Sequence, residues 1–328
     1  MALNSFRETL MAQITLKELA ERANTSIRSV NRALKGQEGL GEKKRAEILK
    51  LASELGYTPN IAARNLRLQR SNFVAVLSSH AYDNVNLRKV NDLVGKLKEH
   101  GFFPLLSMQP QSAEEAGQML REWSGLVKYV VVLGSMKPEV LAACEKMPVH
   151  FILFDCAEPS RKCSRLLIDR SNGIRDGILC LGRSGRRKLA RCGDIMSRQD
   201  GLEKAFRELK ENEKMDYVFL KSPANFDDGL AIGEKLVASG ADAVFFDTDR
   251  MALGFLKYAW LNNIRIPEDI AVIGFDDDPM GLQSCPSLST VAHPIREMNS
   301  KIIELIENNV EYGGEFVFST KFIRRESV

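Results

Sequence analysis

No apolar run in the chain is long enough to span a bilayer, so a membrane-crossing helix is not expected. Met1–Gln13 holds neither a long apolar stretch nor a small-residue cleavage site, so a secretory leader is not expected either, and the chain should act in the cytoplasm. The six cysteines, at 144, 156, 163, 180, 192 and 285, include no Cys-x-x-Cys pair and have no histidines at zinc spacing. Reduced, small core residues are therefore expected in place of a metal or redox centre. Histidine is scarce and scattered: His80, His100, His150 and His293.

Enzyme signatures are missing as well. There is no Gly-x-x-x-x-Gly-Lys-Ser/Thr phosphate loop, no Gly-x-Gly-x-x-Gly opening a helix after a strand, and no Gly-x-Ser-x-Gly elbow. Leu181-Gly182-Arg183-Ser184-Gly185 is only a glycine-bearing turn. Asp276 and Asp277 are neighbours at a strand end, and adjacent carboxylates point apart and do not flank a bond. No enzymatic activity and no cofactor are expected.

What is present is sharply divided. A chain of 328 residues exceeds one ordinary domain, and 44% hydrophobic content is ample for a large core. Aspartate is absent from residues 1–70, which carry five Lys and eight Arg against seven Glu, a net charge of +6. The rest of the chain is then −3, since the whole is +3. Such a split concentrates attraction for phosphate at one end.

That basic end reads as helices. Thr15-Leu16-Lys17-Glu18 is a capping box, and Leu16, Leu19, Ala20 and Ala23 then share one helical face. A turn at Asn24-Thr25 leads to Ser26, an N-cap, and to a second short helix from Ile27 to Leu34. Ala23, Val30, Ala33 and Leu34 can pack inward, which leaves Ile27, Arg28, Ser29, Asn31 and Arg32 free. Arg can bind guanine bidentately, Asn can pair with adenine, and an apolar tip can touch a thymine methyl, so this face suits a major groove. Helix, turn and helix in this order form the helix-turn-helix pattern. A small helical bundle with a solvated charged face is the alternative. A third helix, Glu42 to Leu55, is expected to bury Ala46, Leu49, Ala52 and Leu55 before a stop at Gly56. Beyond it, Thr58 and Pro59 can start a slim alanine-bearing helix flanked by Arg64 and Arg67.

These residues together resemble the LacI/GalR repressors. The likeness lies in Thr15 to Ala20, Ala23 to Ser26, Val30 to Leu34, and Leu55 to Asn60 with Ala62-Ala63-Arg64 and Leu66. Thr25 and Lys35 stand where the family usually has Val and Asn. The resemblance implies base reading by Ile27, Arg28 and Arg32. It also implies that paired hinge helices of a dimer enter the minor groove, with Leu66 as the wedge that unstacks a base step. Thr15, Ser26, Ser29, Asn31, Asn60, Ala63, Arg64 and Arg67 complete the expected DNA-contacting set.

From Asn72 onward, short apolar runs alternate with helical patterns. Phe73 to Leu77, Phe103 to Leu106, Tyr129 to Leu133 and Phe151 to Phe154 read as buried parallel strands. A second series follows at Lys188 to Cys192, Tyr217 to Leu220, Ala243 to Phe246 and Ile270 to Ile273. Two such sets predict an α/β core of two doubly wound parallel sheets, with ligand bound at the strands' carboxyl ends between two lobes. The core resembles the periplasmic-binding-protein type that the family carries, most clearly over residues 243–290 and least over 78–165. By that resemblance Arg198, Asp249 and Asp276 contact ligand, and Phe226 matches an aromatic that packs on it. A cationic fork and carboxylates suit a polyhydroxylated molecule, because each hydroxyl donates and accepts. A salt-bridged structural cluster is the other reading of these residues.

The expected organisation is a small all-α head at 1–57, a hinge helix and linker at 58–70, and a two-lobed core at 71–328. The first lobe takes 71–166 and 293–317, the second 167–292 and 318–328. The expected function is a sequence-specific DNA-binding regulator, a homodimeric repressor on a pseudo-palindromic operator, controlled by a small sugar-like effector. Val328 follows no leucine heptad, which favours a dimer over a coiled-coil-joined tetramer. An activator or a ligand-independent regulator with the core as dimerisation scaffold is the alternative, and a soluble sugar-binding protein or an enzyme a remote one.

Overall fold

Two units make up the chain, Met1–Ser71 and Asn72–Val328. The structure, a computed structural model, describes residues 14–34, 36–57, 72–78, 84–123, 125–146, 148–156 and 163–328. Among them, no helix is long and apolar enough to cross a membrane.

The first unit holds three helices, α1 (Leu16–Arg22), α2 (Ile27–Leu34) and α3 (Glu42–Glu54). Thr15 starts α1: its hydroxyl accepts from the Glu18 N–H at 3.2 Å, and Glu18 accepts from the Thr15 N–H at 2.7 Å. Two donors that the first turn would leave unpaired are satisfied. The Thr15 N–H, and then its hydroxyl, hold the Glu18 carboxyl below its ordinary value. Leu19, Ala20, Ala23, Val30, Ala33, Ile48 and Ala52 form the core. The third helix departs from expectation, because Ile48 is buried whereas Ala46 and Leu49 are exposed. Both stripes have helical spacing, but only the one through Ile48, Leu51, Ala52 and Leu55 gathers four apolar side chains on one face.

In the second unit six parallel strands form a sheet in the order β11-β5-β4-β3-β1-β2. They are β1 (Phe73–Ser78), β2 (Phe103–Met108), β3 (Val127–Leu133), β4 (His150–Phe154), β5 (Ser164–Asp169) and β11 (Glu315–Ser319). Val74 and Val76 face Leu93 and Leu97 of α4 (Asn84–Glu99) and Met298 and Ile302 of α13 (Ile295–Glu307). Ala75 and Leu77 face the other way, onto α5 (Ala113–Glu122) and α6 (Pro138–Cys144). Burial on both faces is why these strands read as continuous apolar runs.

A second parallel sheet has the order β7-β6-β8-β9, from β6 (Lys188–Gly193), β7 (Asp216–Lys221), β8 (Ala243–Phe246) and β9 (Ala271–Ile273). Ala243 and Phe245 pack on α7 (Ser171–Arg183) and α8 (Gln199–Glu208). Val244 and Phe246 pack on α11 (Asp249–Leu261), with α10 (Gly233–Ala238) beside it. Short antiparallel strands β10 (Thr290–Ala292) and β12 (Lys321–Ile323) complete this half. Strands β5, β10, β11 and β12 were not legible as apolar runs: β5 opens on Ser164 and Arg165, β10 and β12 have three residues each, and β11 alternates exposed with half-buried residues.

The chain crosses between the two halves three times, after β5, before α13 and between β11 and β12. The crossings touch at Gly173, where a Cβ would lie 2.6 Å from Val291 Cγ1 and 2.7 Å from Thr320 Oγ1. The Thr320 N–H donates to the Asp169 carbonyl at 2.9 Å, and its hydroxyl donates to the Arg170 carbonyl at 3.1 Å. The crossing strands are thereby fixed to one another at a single point.

Candidate functional site

In the head, Ser26 Oγ accepts from the Ser29 N–H at 3.1 Å and so starts α2. Val30 and Ala33 are buried, whereas Ile27 is 43% exposed and Arg28 is exposed beside it. Ser29, Asn31 and Arg32 are half-exposed. Arg32 lies along the turn that follows α2, its Nη1 3.4 Å from where a Cβ on Gly39 would sit. Thr15 is exposed, with its hydroxyl engaged in the capping box. Lys44 donates to the Ala23 carbonyl at 2.8 Å, which ties α3 to the end of α1. The hinge residues Asn60, Ala63, Arg64, Leu66 and Arg67 lie outside the described residues.

In the core, charged side chains gather just beyond the carboxyl ends of strands. Asp155 follows β4, Arg170 follows β5, Arg198 follows β6, Asp249 follows β8 and Asp276 follows β9. Arg198 is buried, with its guanidinium 3.6 Å from the centroid of the Phe275 ring and its Nη2 4.0 Å from Asp276 Oδ1. Burial lowers its pKa to about 10. Asp276, at φ +116°, also meets His293 Nε2 at 3.1 Å. A carboxylate can only accept, so that nitrogen carries the proton. Asp276 and Asp277 both hold left-handed backbone, as does Asp155 in the other half, and strain of this kind clusters at binding sites.

Asp249 is placed differently. It is fully buried, accepting from the Thr290 hydroxyl at 2.6 Å and from the Asp278 N–H at 2.7 Å. Burial raises its pKa to about 8. Phe226 opens α9 (Phe226–Ala231), which lies backbone to backbone on α11: a Cβ on Gly254 would stand 2.0 Å from the Phe226 carbonyl. The ring that stacks on Arg198 is Phe275, and the structure does not bring Phe226 into the contacts joining Arg198, Asp276 and His293. Of the four expected ligand residues, Arg198 and Asp276 meet, Asp249 lies behind them in the wall, and Phe226 stands on a neighbouring helix.

Four further residues, Lys89, Asp155, Arg170 and His293, belong to this cluster and were not singled out from the sequence. Lys89, on α4, is buried and lies 3.2 Å from Asp155. Arg170 grips the same carboxylate at 2.6 and 2.8 Å. Burial alone would raise the Asp155 carboxyl, but Lys89 and Arg170 outweigh it and hold it below its ordinary value. His293, one of four histidines scattered along the sequence, lies at the centre, its imidazole edge-on to Phe275 with centroids 5.2 Å apart. The available signal was position, since Asp155, Arg170 and His293 each stand next to a strand's carboxyl end. Arg88 joins the two halves, donating to the Asp276 carbonyl at 3.0 Å and to that of Asp277. Asn84 adds a bond to Asp278 at 2.7 Å. Among the described residues, no group of His, Cys, Asp and Glu is arranged to hold a metal ion.

A periplasmic-binding-protein-like domain model matches residues 170–328. The NTD biosynthesis operon regulator NtdR of Bacillus subtilis is 27% identical over 95% of this chain and 99% of its own length. Catabolite control protein A of Priestia megaterium is 23% identical over 96% of this chain and 94% of its own. Among solved structures, the lac repressor dimer bound to operator and the anti-inducer ONPF superposes with a TM-score of 0.75 at 20% identity, covering 96% of this chain and 98% of that one. The transcriptional regulator CelR in complex with cellobiose gives 0.62 at 24% identity, over 96% and 100%. Head and core thus run in one order from end to end in proteins named as transcriptional regulators, and over nearly its whole length this chain is similar to these LacI-type regulators.

Proposed function

We propose that the protein acts in the cytoplasm as a homodimeric repressor, reading a pseudo-palindromic operator with α2 and releasing or tightening its grip when a small sugar-like metabolite occupies the core. The observation that carries this reading is the division of α2, whose Val30 and Ala33 close the head's core while Ile27 and Arg28 stay exposed. Arg198 and Asp276 hold the ligand in this reading. Asp249 acts behind them, bracing the turn that carries Asp276, and Phe226 flanks the site from α9. The division proposed is a head at 1–57, a hinge at 58–70 that includes Asn60, Ala63, Arg64, Leu66 and Arg67, and a core with lobe boundaries near 166 and 293. The operator and anti-inducer bound by the lac repressor, and the cellobiose bound by CelR, support an operator and a sugar-like effector here.

The test is selection of a duplex from a random pool, followed by titration at several salt concentrations, where affinity for the selected site falls steeply with salt. Thermal-shift screening of sugars, sugar phosphates and nucleobases then seeks the effector. Arg198→Ala and Asp276→Ala abolish the response to a hit while sparing DNA binding without it. Linkage requires operator DNA to change ligand affinity by the same factor as ligand changes operator affinity.

A second reading is favoured by Arg88. It already bonds the turn at Asp276 and Asp277 from the opposite half, as a ligand would. On that reading the core is a dimerisation scaffold of a ligand-independent repressor or activator. A screen in which no compound stabilises the protein selects it.

A further inference from the structure

Among the described residues, the charges that meet where the two sheets' carboxyl ends join do not balance. Lys89, Arg170 and Arg198 face Asp155 and Asp276, three cations against two carboxylates. Asp155 is shared between Lys89 at 3.2 Å and Arg170 at 2.6 Å. Asp276 takes a bond from His293 and stands 4.0 Å from Arg198, beyond hydrogen-bond length. Among the described residues, the acceptors of the buried Arg198 guanidinium are weak ones, the Asp247 carbonyl at 3.4 Å and Ser197 Oγ at 3.2 Å. Two more polar atoms at the same place, Arg170 Nε and His293 Nδ1, are buried without a hydrogen-bond partner. With Nε2 protonated, Nδ1 of His293 offers a lone pair. Among the described residues the cluster therefore has one surplus positive charge, an unfilled donor on Arg170, weakly engaged donors on Arg198, and one unfilled acceptor. Buried charges and polar groups of this kind are costly unless paired, and the partner missing from the protein is an anion that also carries a donor.

We propose that the ligand of this cleft is a hydroxylated acid, a compact polyol bearing one carboxylate or phosphate. Its acid group lies against Arg198, Arg170 and Lys89, and one of its hydroxyls donates to His293 Nδ1. This rests on the cleft reading above and narrows its sugar-like effector to an anionic one. A neutral sugar fills the hydrogen bonds and leaves the charge unmatched. Burial and the neighbouring Lys89, Arg198 and Arg170 all oppose protonation of His293, so the imidazole cannot supply the missing donor itself. A planar carboxylate or a phosphate face matches a guanidinium fork, which adds orientation to charge.

The experiment uses the full-length protein and matched triplets built on glucose, galactose, mannose and ribose: the neutral sugar, its uronate or aldonate, and its terminal phosphate. Thermal shift is followed by titration calorimetry, with inorganic phosphate as a separate probe. At least one acid or phosphate should stabilise the protein and bind about tenfold or more tighter than its neutral parent, the gain expected from charge-assisted bonds. Preference for the uronate or aldonate names the acid as a carboxylate, and preference for the phosphate ester names it as a phosphate. Arg170→Gln should shrink the gap between acid and parent, and Lys89→Met supplies the same comparison should that variant fold poorly. A neutral sugar that binds as tightly as its acids, and whose binding is lost in Asp276→Ala, overturns the acid proposal and leaves the cleft reading intact. Stabilisation by no member of the panel overturns both.

Discussion

His293 is buried, bonds Asp276, and has a pKa held well below that of a free imidazole, first by burial and then by Lys89, Arg198 and Arg170. The unfolded chain takes up a proton below about pH 6.5 that the folded protein refuses, so this residue leaves stability untouched above that pH and erodes it below, by at most about 1.4 kcal/mol per pH unit. Asp249 works in the opposite sense. Burial raises it to about 8, so its contribution is full below the unfolded value of about 3.9 and is lost as pH rises through about 8. Between about pH 4 and 6.5 the two slopes oppose each other. Acidifying from pH 7 to pH 5.5 should therefore favour His293→Gln over the wild type, whatever the variant's starting stability. Urea denaturation at both values checks this, and parallel pH profiles would contradict it. In the head, Arg28→Ala should cost roughly 1 to 3 kcal/mol on the selected duplex and relax preference at one base pair per half-site. Equal losses on specific and random duplexes would make Arg28 a phosphate contact.

Elements were legible in proportion to how strongly their own sequence marks them. The capping box at Thr15 and the apolar runs of β1, β3, β4 and β8 announce themselves, because a cap and a doubly buried strand are local signals. Strand β11 does not, since its Glu315 and Ser319 are exposed and only its pairing with β5 defines it. The binding cluster divides in the same way. Arg198 and Asp276 were found through segments that match a family pattern, whereas Lys89, Asp155, Arg170 and His293 belong together only once the sheets are folded. Helix α3 shows how near two solutions can lie, with Ile48 at 0% exposure and its neighbour Leu49 at 43%. Ile48→Ala should destabilise the head by about 2 to 5 kcal/mol and weaken DNA binding, whereas Leu49→Ala should cost less than about 0.5 kcal/mol. Amide exchange in α1 to α3 of the whole protein separates the two outcomes. Gly254→Val should push α9 off α11, because its Cβ would meet the Phe226 carbonyl, and proteolysis within 226–231 should then accelerate.

Across the whole molecule, Arg88 is the side chain whose loss tests the coupling between the two halves of the core. Arg88→Ala should raise amide exchange around residues 276–278 and change the size of any ligand response, while duplex binding without ligand persists. An unaltered ligand response would show that the bond from α4 to this turn sets no equilibrium between states. The three crossings carry a different consequence, one for biosynthesis. Strand β11, which covers the edge of β5 and packs Phe316 and Phe318 onto the first half's core, is translated after every strand of the four-stranded sheet. A nascent chain that has already made the head and every residue proposed to bind ligand still presents β5 as an open edge, and open edges recruit other chains. A stop codon placed after Asn309 removes none of those residues, yet it should yield aggregates in place of a trimmed regulator.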